Sequence, residues 1–124
     1  MIRFKRIMIQ PYEAPLWLFK GDGTLDEVVV FMTKKFKVEH PARVLTNWKA
    51  ATYPLQHEDG SVEGIACVFS SMSGLEAKWI YHESLHVVYE IFNAIGISLD
   101  YSNQEQIAYM QGYVADEIIK FISK

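Results

Sequence analysis

Residues 82–86 read His-Glu-Ser-Leu-His, with two histidines four positions apart and a glutamate directly after the first. Residues four apart lie on one face of a helix, so the imidazoles of His82 and His86 can reach a single metal ion. Neutral imidazole is a good zinc ligand. Glu83 is turned by about 100° around the helix, so it can take a proton from a water molecule that zinc has acidified. The pentad therefore predicts a zinc site on the two histidines, with Glu83 as general base.

Two structural explanations of the pentad compete with this one. Histidines in a core can hydrogen-bond carboxylates or carbonyls without any metal, because a buried polar side chain must find a partner. A purely structural zinc is the other explanation. Such sites have four protein ligands, often cysteines, and this chain has one cysteine, Cys67, which we expect to be a buried small hydrophobe.

A catalytic zinc needs a third protein ligand beside the two histidines. The other histidines, His40 and His57, stand near turn signals and are expected on the surface. Acidic residues of the C-terminal quarter are the better candidates, and they comprise Asp100, Glu105, Asp116 and Glu117.

Glu105 is the favoured third ligand. It shares one side of the last predicted helix with the small residues Ala108 and Gly112, which would let that helix approach the histidine helix closely. A Gly in mid-helix costs about 1 kcal/mol relative to Ala, so we expect Gly112 to have a packing role. The alternative is a capping box, since residues 102–105 match the pattern S-x-x-E, in which Glu105 would cap its own helix.

Tyr109 lies one turn after Glu105 and is the candidate oxyanion donor. A phenol there could donate a hydrogen bond to the tetrahedral intermediate of peptide hydrolysis. The alternative is a core tyrosine that packs between helices. Asp100, Asp116 and Glu90 could orient the ligand histidines through the ring nitrogen that does not bind the metal.

The elements that must position these residues follow from hydrophobic period and turn signals. A proline in the third predicted strand, Pro54, indicates an edge strand. Strands are predicted over residues 2–10, 16–19, 51–56 and 62–70, and helices over 25–37, 74–95 and 103–122. The last strand pair forms a hairpin, and Gly96 should end the helix that carries the pentad. Segregated strands and helices predict one α+β domain over residues 1–124, with the pentad on a central buried helix.

Composition excludes several function classes. Half of the 124 residues are hydrophobic, which suits a globular core and not a disordered chain. Net charge is -3, and no basic stripe is present, so neither a nucleic acid nor a membrane surface is expected as a partner. The N-terminal residues lack the apolar block of a signal peptide, and the chain is expected in the cytoplasm. The sequence leaves the oligomeric state open.

The pentad, followed by Glu-Gln-Ile-Ala-Tyr at residues 105–109, resembles the gluzincins, zincin metallopeptidases with a glutamate ligand on the helix after HExxH. The short chain is also similar to minimal HExxH proteins of phages and prophages. This resemblance implies a minimal zincin-like fold with a small, mostly antiparallel sheet and three helices. It implies zinc on His82, His86 and Glu105, and residues 62–70 as an edge strand that aligns a peptide or protein substrate by strand addition.

Two other functions are compatible with the sequence. One is a catalytically inactive zinc-binding zincin-like domain that serves protein interaction or assembly. Its sign would be a fourth protein ligand or a site closed to solvent. The other is a metal-free α+β interaction module in which the pentad arose by chance.

Overall fold

The chain forms a four-stranded sheet with helices on both faces. The computed structural model describes residues 2–39, 49–70 and 76–123. The strands are β1 (Arg3–Ile9), β2 (Ala14–Lys20), β3 (Ala50–Gln56) and β4 (Val62–Phe69), and the helices are α1 (Leu25–Phe36), α2 (Ala77–Ile95) and α3 (Gln104–Ile122). A 3-10 turn, Tyr101–Asn103, leads into α3. The predicted α+β class and the three helices are confirmed.

The strands lie in the order β1-β2-β4-β3. The β1–β2 and β3–β4 pairs are antiparallel, whereas β2 and β4 are parallel, so the sheet is mixed. Pro54 lies in β3, which is an edge strand as predicted. The prediction that residues 62–70 form an edge strand is wrong, because β4 has a hydrogen-bonded neighbour on each side. Its last six residues are buried, as expected of an interior strand covered on both faces.

Alternate side chains of β4 enter two separate cores, because successive residues of a strand point to opposite faces. Ile65, Cys67 and Phe69 pack with residues of α2 and α3. Ala66 and Val68 pack with residues of α1. The sheet therefore has an α1 face and an α2/α3 face, each closed by its own apolar cluster.

Helix α2 buries one side and exposes the other. Val87, Val88 and Ile91 are at most 1% exposed, whereas Tyr81 is 53% exposed. The prediction of a central helix buried on most sides is therefore not confirmed; α2 is amphipathic and lies on the sheet as an outer layer. It ends at Gly96, whose φ of 77° is the left-handed conformation that favours glycine, as predicted.

Within the part of the chain that the structure describes, no helix has the length and apolarity needed to cross a bilayer.

Candidate metal centre

His82 and His86 come together on the exposed side of α2. Their Nε2 atoms are 3.2 Å apart, and their ring centroids are 4.8 Å apart with the planes at 71°. Two nitrogens bound to tetrahedral zinc at about 2.0–2.1 Å would be about 3.3 Å apart. The pair thus has the spacing of two zinc ligands. The same distance also allows one imidazole N–H to donate to the other, which is the metal-free alternative.

The Glu83 side chain lies between α2 and the sheet. The residue is 3% exposed. Its Oε1 accepts a hydrogen bond of 2.7 Å from the hydroxyl of Thr52 on β3. Its Oε2 lies 3.7 Å from Nε2 of His82. One carboxylate oxygen is therefore hydrogen-bonded to the sheet, and the other lies near His82.

Thr52 on β3 and Cys67 on β4 are paired across the sheet. Both lie beside Glu83. Burial raises the pKa of the Cys67 thiol, and the neighbouring Glu83 charge raises it further. Cys67 is therefore a neutral, buried side chain, as predicted from sequence.

Two other side chains define the immediate surroundings of the pair. Trp79, one turn before His82, meets its ring edge-on at a centroid distance of 5.8 Å. Ser84 is fully buried, and its hydroxyl donates to the Tyr81 carbonyl at 2.9 Å. The side chain of His82 is itself 55% exposed, so solvent and ligands can reach the pair.

Glu105 is exposed on the outer side of α3. Gln111 marks the side of α3 that faces α2, because its side-chain amide donates to the Tyr81 carbonyl at 3.2 Å. Glu105, six residues earlier, is turned by about 120° from Gln111. A Cβ added at Gly112 would meet nothing within 4 Å. The expectation that Gly112 permits a close approach to the histidine helix is therefore wrong.

In the described segments, no three side chains of His, Cys, Asp or Glu are arranged to hold a metal ion together. The structure thus brings His82, Glu83 and His86 together but does not bring Glu105 to them. Glu105 as third ligand stays a prediction. His40, another candidate, lies outside the described residues. His57 lies just after β3 with Nδ1 3.3 Å from the Lys37 carbonyl.

The capping-box alternative for Glu105 does not form. The Ser102 hydroxyl donates instead to Asp100 Oδ1 at 2.5 Å, and the same oxygen accepts from the Ser102 backbone N–H at 3.0 Å. Asp100 therefore caps the 3-10 turn, while Asp116 pairs with Lys120 at 3.2 Å. These contacts occupy two of the carboxylates predicted as histidine-orienting groups.

Tyr109 lies on a different part of the surface from the histidine pair. It is 77% exposed and borders a cavity of about 240 Å³ between α3 and the β1–β2 turn. The cavity is lined by Gln10, Pro11, Tyr12, Gln106, Tyr109, Met110 and Tyr113. Neither His82, Glu83 nor His86 lines it, and Tyr109 as oxyanion donor stays a prediction.

Thr52 is the site residue that sequence reasoning missed. It lies 31 residues before Glu83, and no motif spacing connects them. The only sequence signal is weak: a hydroxyl side chain in a predicted edge strand between small and apolar residues. The contact depends on the packing of α2 against β3, which is a tertiary property.

No protein-family model, curated protein or solved structure matches the chain. His82, Glu83 and His86, with Thr52 on the adjacent strand, are therefore the side chains whose chemistry indicates a function.

Proposed function

We propose that this protein is a zinc-dependent metallopeptidase that hydrolyses a peptide bond with Glu83 as general base. The observation that carries the proposal is the 3.2 Å separation of the two histidine Nε2 atoms, with a buried carboxylate oxygen 3.7 Å from one of them. We place the reaction in the cytoplasm, where the single thiol of Cys67 would stay reduced.

His82 and His86 would hold the metal through Nε2, and Glu105 is the proposed third ligand on the strength of its sequence position. When bound, zinc supplies a Lewis acid that polarises the peptide carbonyl and lowers the pKa of a water molecule to about 7. Imidazole and carboxylate donors suit zinc. Because His82 is half exposed, the ion and a substrate have direct access.

Glu83 would move the proton. Its Oε2, which faces the histidines, accepts a proton from the attacking water as the water oxygen bonds to the carbonyl carbon. When the C–N bond breaks, Glu83 returns that proton to the amine leaving group, so the carboxylate is regenerated. Its Oε1 remains hydrogen-bonded to Thr52 throughout.

The substrate strand would add to β3 and not to β4, because one edge of β3 has no strand partner among the described residues and is its free edge. Lys49, just before β3, accepts a backbone hydrogen bond from Ser70 after β4, whereas the Gln56 carbonyl accepts from Glu39 outside the sheet. By strand alternation, the backbone groups of Ala50, Thr52 and Pro54 face the free edge. Ala50 and Thr52 each offer an N–H and a C=O at that edge. Because the Thr52 side chain contacts Glu83, an extended peptide bound along this edge would lie near Glu83.

Zinc content and peptidase activity of three variants test the proposal. Purified protein should hold about one zinc, and His82→Ala should lose both zinc and cleavage. Glu83→Gln should keep the zinc but lose about 10²–10⁴-fold in kcat. His57→Ala is the matched control, since His57 lies at the far hairpin, and it should retain both properties. Full activity in chelator, or zinc retained by His82→Ala, would refute the assignment.

A catalytically inactive zinc-binding domain is the second candidate. Exposed aromatic side chains favour it, because Tyr81 and Tyr89 lie near the histidine pair on α2 and are 53% and 44% exposed. Exposed aromatic rings are common at protein interfaces. In that case zinc would bind with wild-type affinity, no peptide would be cleaved, and Glu83→Gln would change neither property.

A further inference from the structure

The hydrogen bond from Thr52 to Glu83 links the free-edge strand to the proposed base. Its length of 2.7 Å is that of a well-formed O–H···O hydrogen bond. Among the described residues, Thr52 is the only one whose side chain donates a hydrogen bond to Glu83. Because Glu83 is 3% exposed, water has little room to replace that donor.

This bond determines which way the carboxylate plane faces. With Oε1 held at Thr52, Oε2 is the oxygen left 3.7 Å from the His82 Nε2. A carboxylate without the Thr52 donor would rotate about its terminal torsion, which is soft. Oε2 would then spend less time facing the metal position. Reactivity depends steeply on such alignment, since an error of about 1 Å can cost about 100-fold in rate.

Thr52 also lies where the substrate strand is proposed to bind. Its side chain points to the α2/α3 face, while its backbone groups face the free edge of β3. Ala50, two residues earlier on the same face, is buried in the α2/α3 apolar cluster. One residue thus contacts the base through its side chain and offers its backbone to a peptide.

We propose that Thr52 is a positioning residue that orients Glu83 toward the metal-binding histidines and aligns it with a peptide bound along β3. This inference rests on the proposed peptidase function. It assigns to Thr52 no contact with the metal and no proton transfer.

The test compares Thr52→Val, which keeps the shape but removes the hydroxyl, with Thr52→Ser, which keeps the hydroxyl. Thr52→Val should lower kcat by about 10–100-fold with KM within about twofold, and Thr52→Ser should restore most of the rate. Zinc affinity, measured by competition with a chelator, should be unchanged in both. Thr33→Val is the matched control, because Thr33 lies on α1 and its buried hydroxyl has no partner within the described structure.

A readout independent of turnover is the carboxyl ¹³C resonance of Glu83 in the metal-free protein, assigned with Glu83→Gln. Thr52→Val should shift it, and Thr52→Ser and Thr33→Val should not. Wild-type kcat in Thr52→Val, an equal loss in the Ser and Val variants, or a change in KM alone would overturn the positioning role. If Thr52→Val does not fold, Thr52→Ala removes the same hydroxyl and must show the same loss. Activity retained by Glu83→Gln would instead refute the peptidase proposal itself.

Discussion

The two faces of the sheet are covered by different kinds of side chain. The α1 face is closed by an aromatic cluster in which Trp17 and Phe36 are 4.6 Å apart and Phe4 stacks on Phe19 at 5.7 Å. The α2/α3 face contains a buried carboxylate, Glu83, which has a hydrogen-bonding partner. Burying a polar group is costly unless it is hydrogen-bonded. Both faces therefore bury polar groups, but Glu83 has a hydrogen-bond partner, whereas Trp17 Nε1 and Thr33 Oγ1 on the α1 side have none among the described residues.

Charge is distributed unevenly along the chain. Residues 3–37, which form β1, β2 and α1, hold seven of the 12 Lys and Arg residues but four of the 15 Asp and Glu residues. The rest of the chain, which contains the histidine pair, is therefore strongly acidic. The basic segment, residues 3–37, contains none of the candidate metal ligands, which all lie in the acidic remainder of the chain.

Met32→Ala has the largest expected effect, because it should destabilise the α1 face without changing zinc binding on the α2/α3 face. Met32 is fully buried on the α1 face and contacts the Tyr53 hydroxyl through Sδ at 3.4 Å. We expect the substitution to lower the free energy of unfolding by about 2–5 kcal/mol, measured by urea denaturation. Zinc affinity at a temperature where the variant is folded should equal that of wild type. A folded Met32→Ala protein with weakened zinc binding would show that the faces are coupled.

Gly64→Ala tests the strand that both faces share. A Cβ at Gly64 would lie 2.8 Å from the Pro15 carbonyl oxygen of β2, which is backbone and cannot move away without disturbing the parallel β2–β4 pair. We expect a loss of about 1–3 kcal/mol of stability, seen as a lower urea midpoint. Because β4 contributes to both cores, the loss should accompany a single cooperative transition. Two separate transitions would mean that the faces unfold independently.

The pH dependence of stability should report on the α1 face. Burial raises the pKa of Tyr53 above its ordinary value of 10.0. In the unfolded chain this phenol ionises near pH 10, while in the folded protein it stays protonated. Its contribution is therefore constant below about pH 10 and falls as pH rises above 10, by at most about 1.4 kcal/mol per pH unit. Tyr53→Phe should flatten this decline in alkaline denaturation series.

The control for that series is Tyr101→Phe. Tyr101 is 88% exposed, so its ionisation should be nearly the same in the folded and unfolded states. Comparing each variant with wild type cancels the contribution of Cys67, whose thiol pKa burial also raises. An equal slope in wild type and Tyr53→Phe would contradict the burial of the Tyr53 hydroxyl.

Local chemistry predicted the parts of the fold that are set by a single segment. Gly96 ended α2 and Pro54 marked an edge strand, because each effect is local: glycine adopts the left-handed conformation without strain, and proline has no N–H to donate. The spacing of the pentad predicted the convergence of His82 and His86 for the same reason. The interior position of β4 was missed, although its continuous apolar run from residue 64 was a usable signal.

What the sequence could not provide was the relation between distant segments. The parallel pairing of β2 with β4 and the contact of Thr52 with Glu83 depend on how helices pack on the sheet. The structure does not bring Glu105 to the histidines, and the reason why the sequence suggested it is related. Small residues on a helix indicate a close neighbour only when that side is buried, and exposure is a tertiary property.

Gly112→Ala has the smallest expected effect and distinguishes the two interpretations of α3. If Gly112 were a close-packing position, the added methyl group would clash and destabilise the protein. In the structure the position is exposed and a Cβ meets nothing within 4 Å. Ala in a helix interior is favoured over Gly by about 0.5–1 kcal/mol, so we expect a gain of that size and a higher Tm in calorimetry. The same substitution that weakens β4 at Gly64 should therefore strengthen α3 at Gly112, and a loss at both positions would restore the closely packed arrangement in which Glu105 approaches the histidine helix.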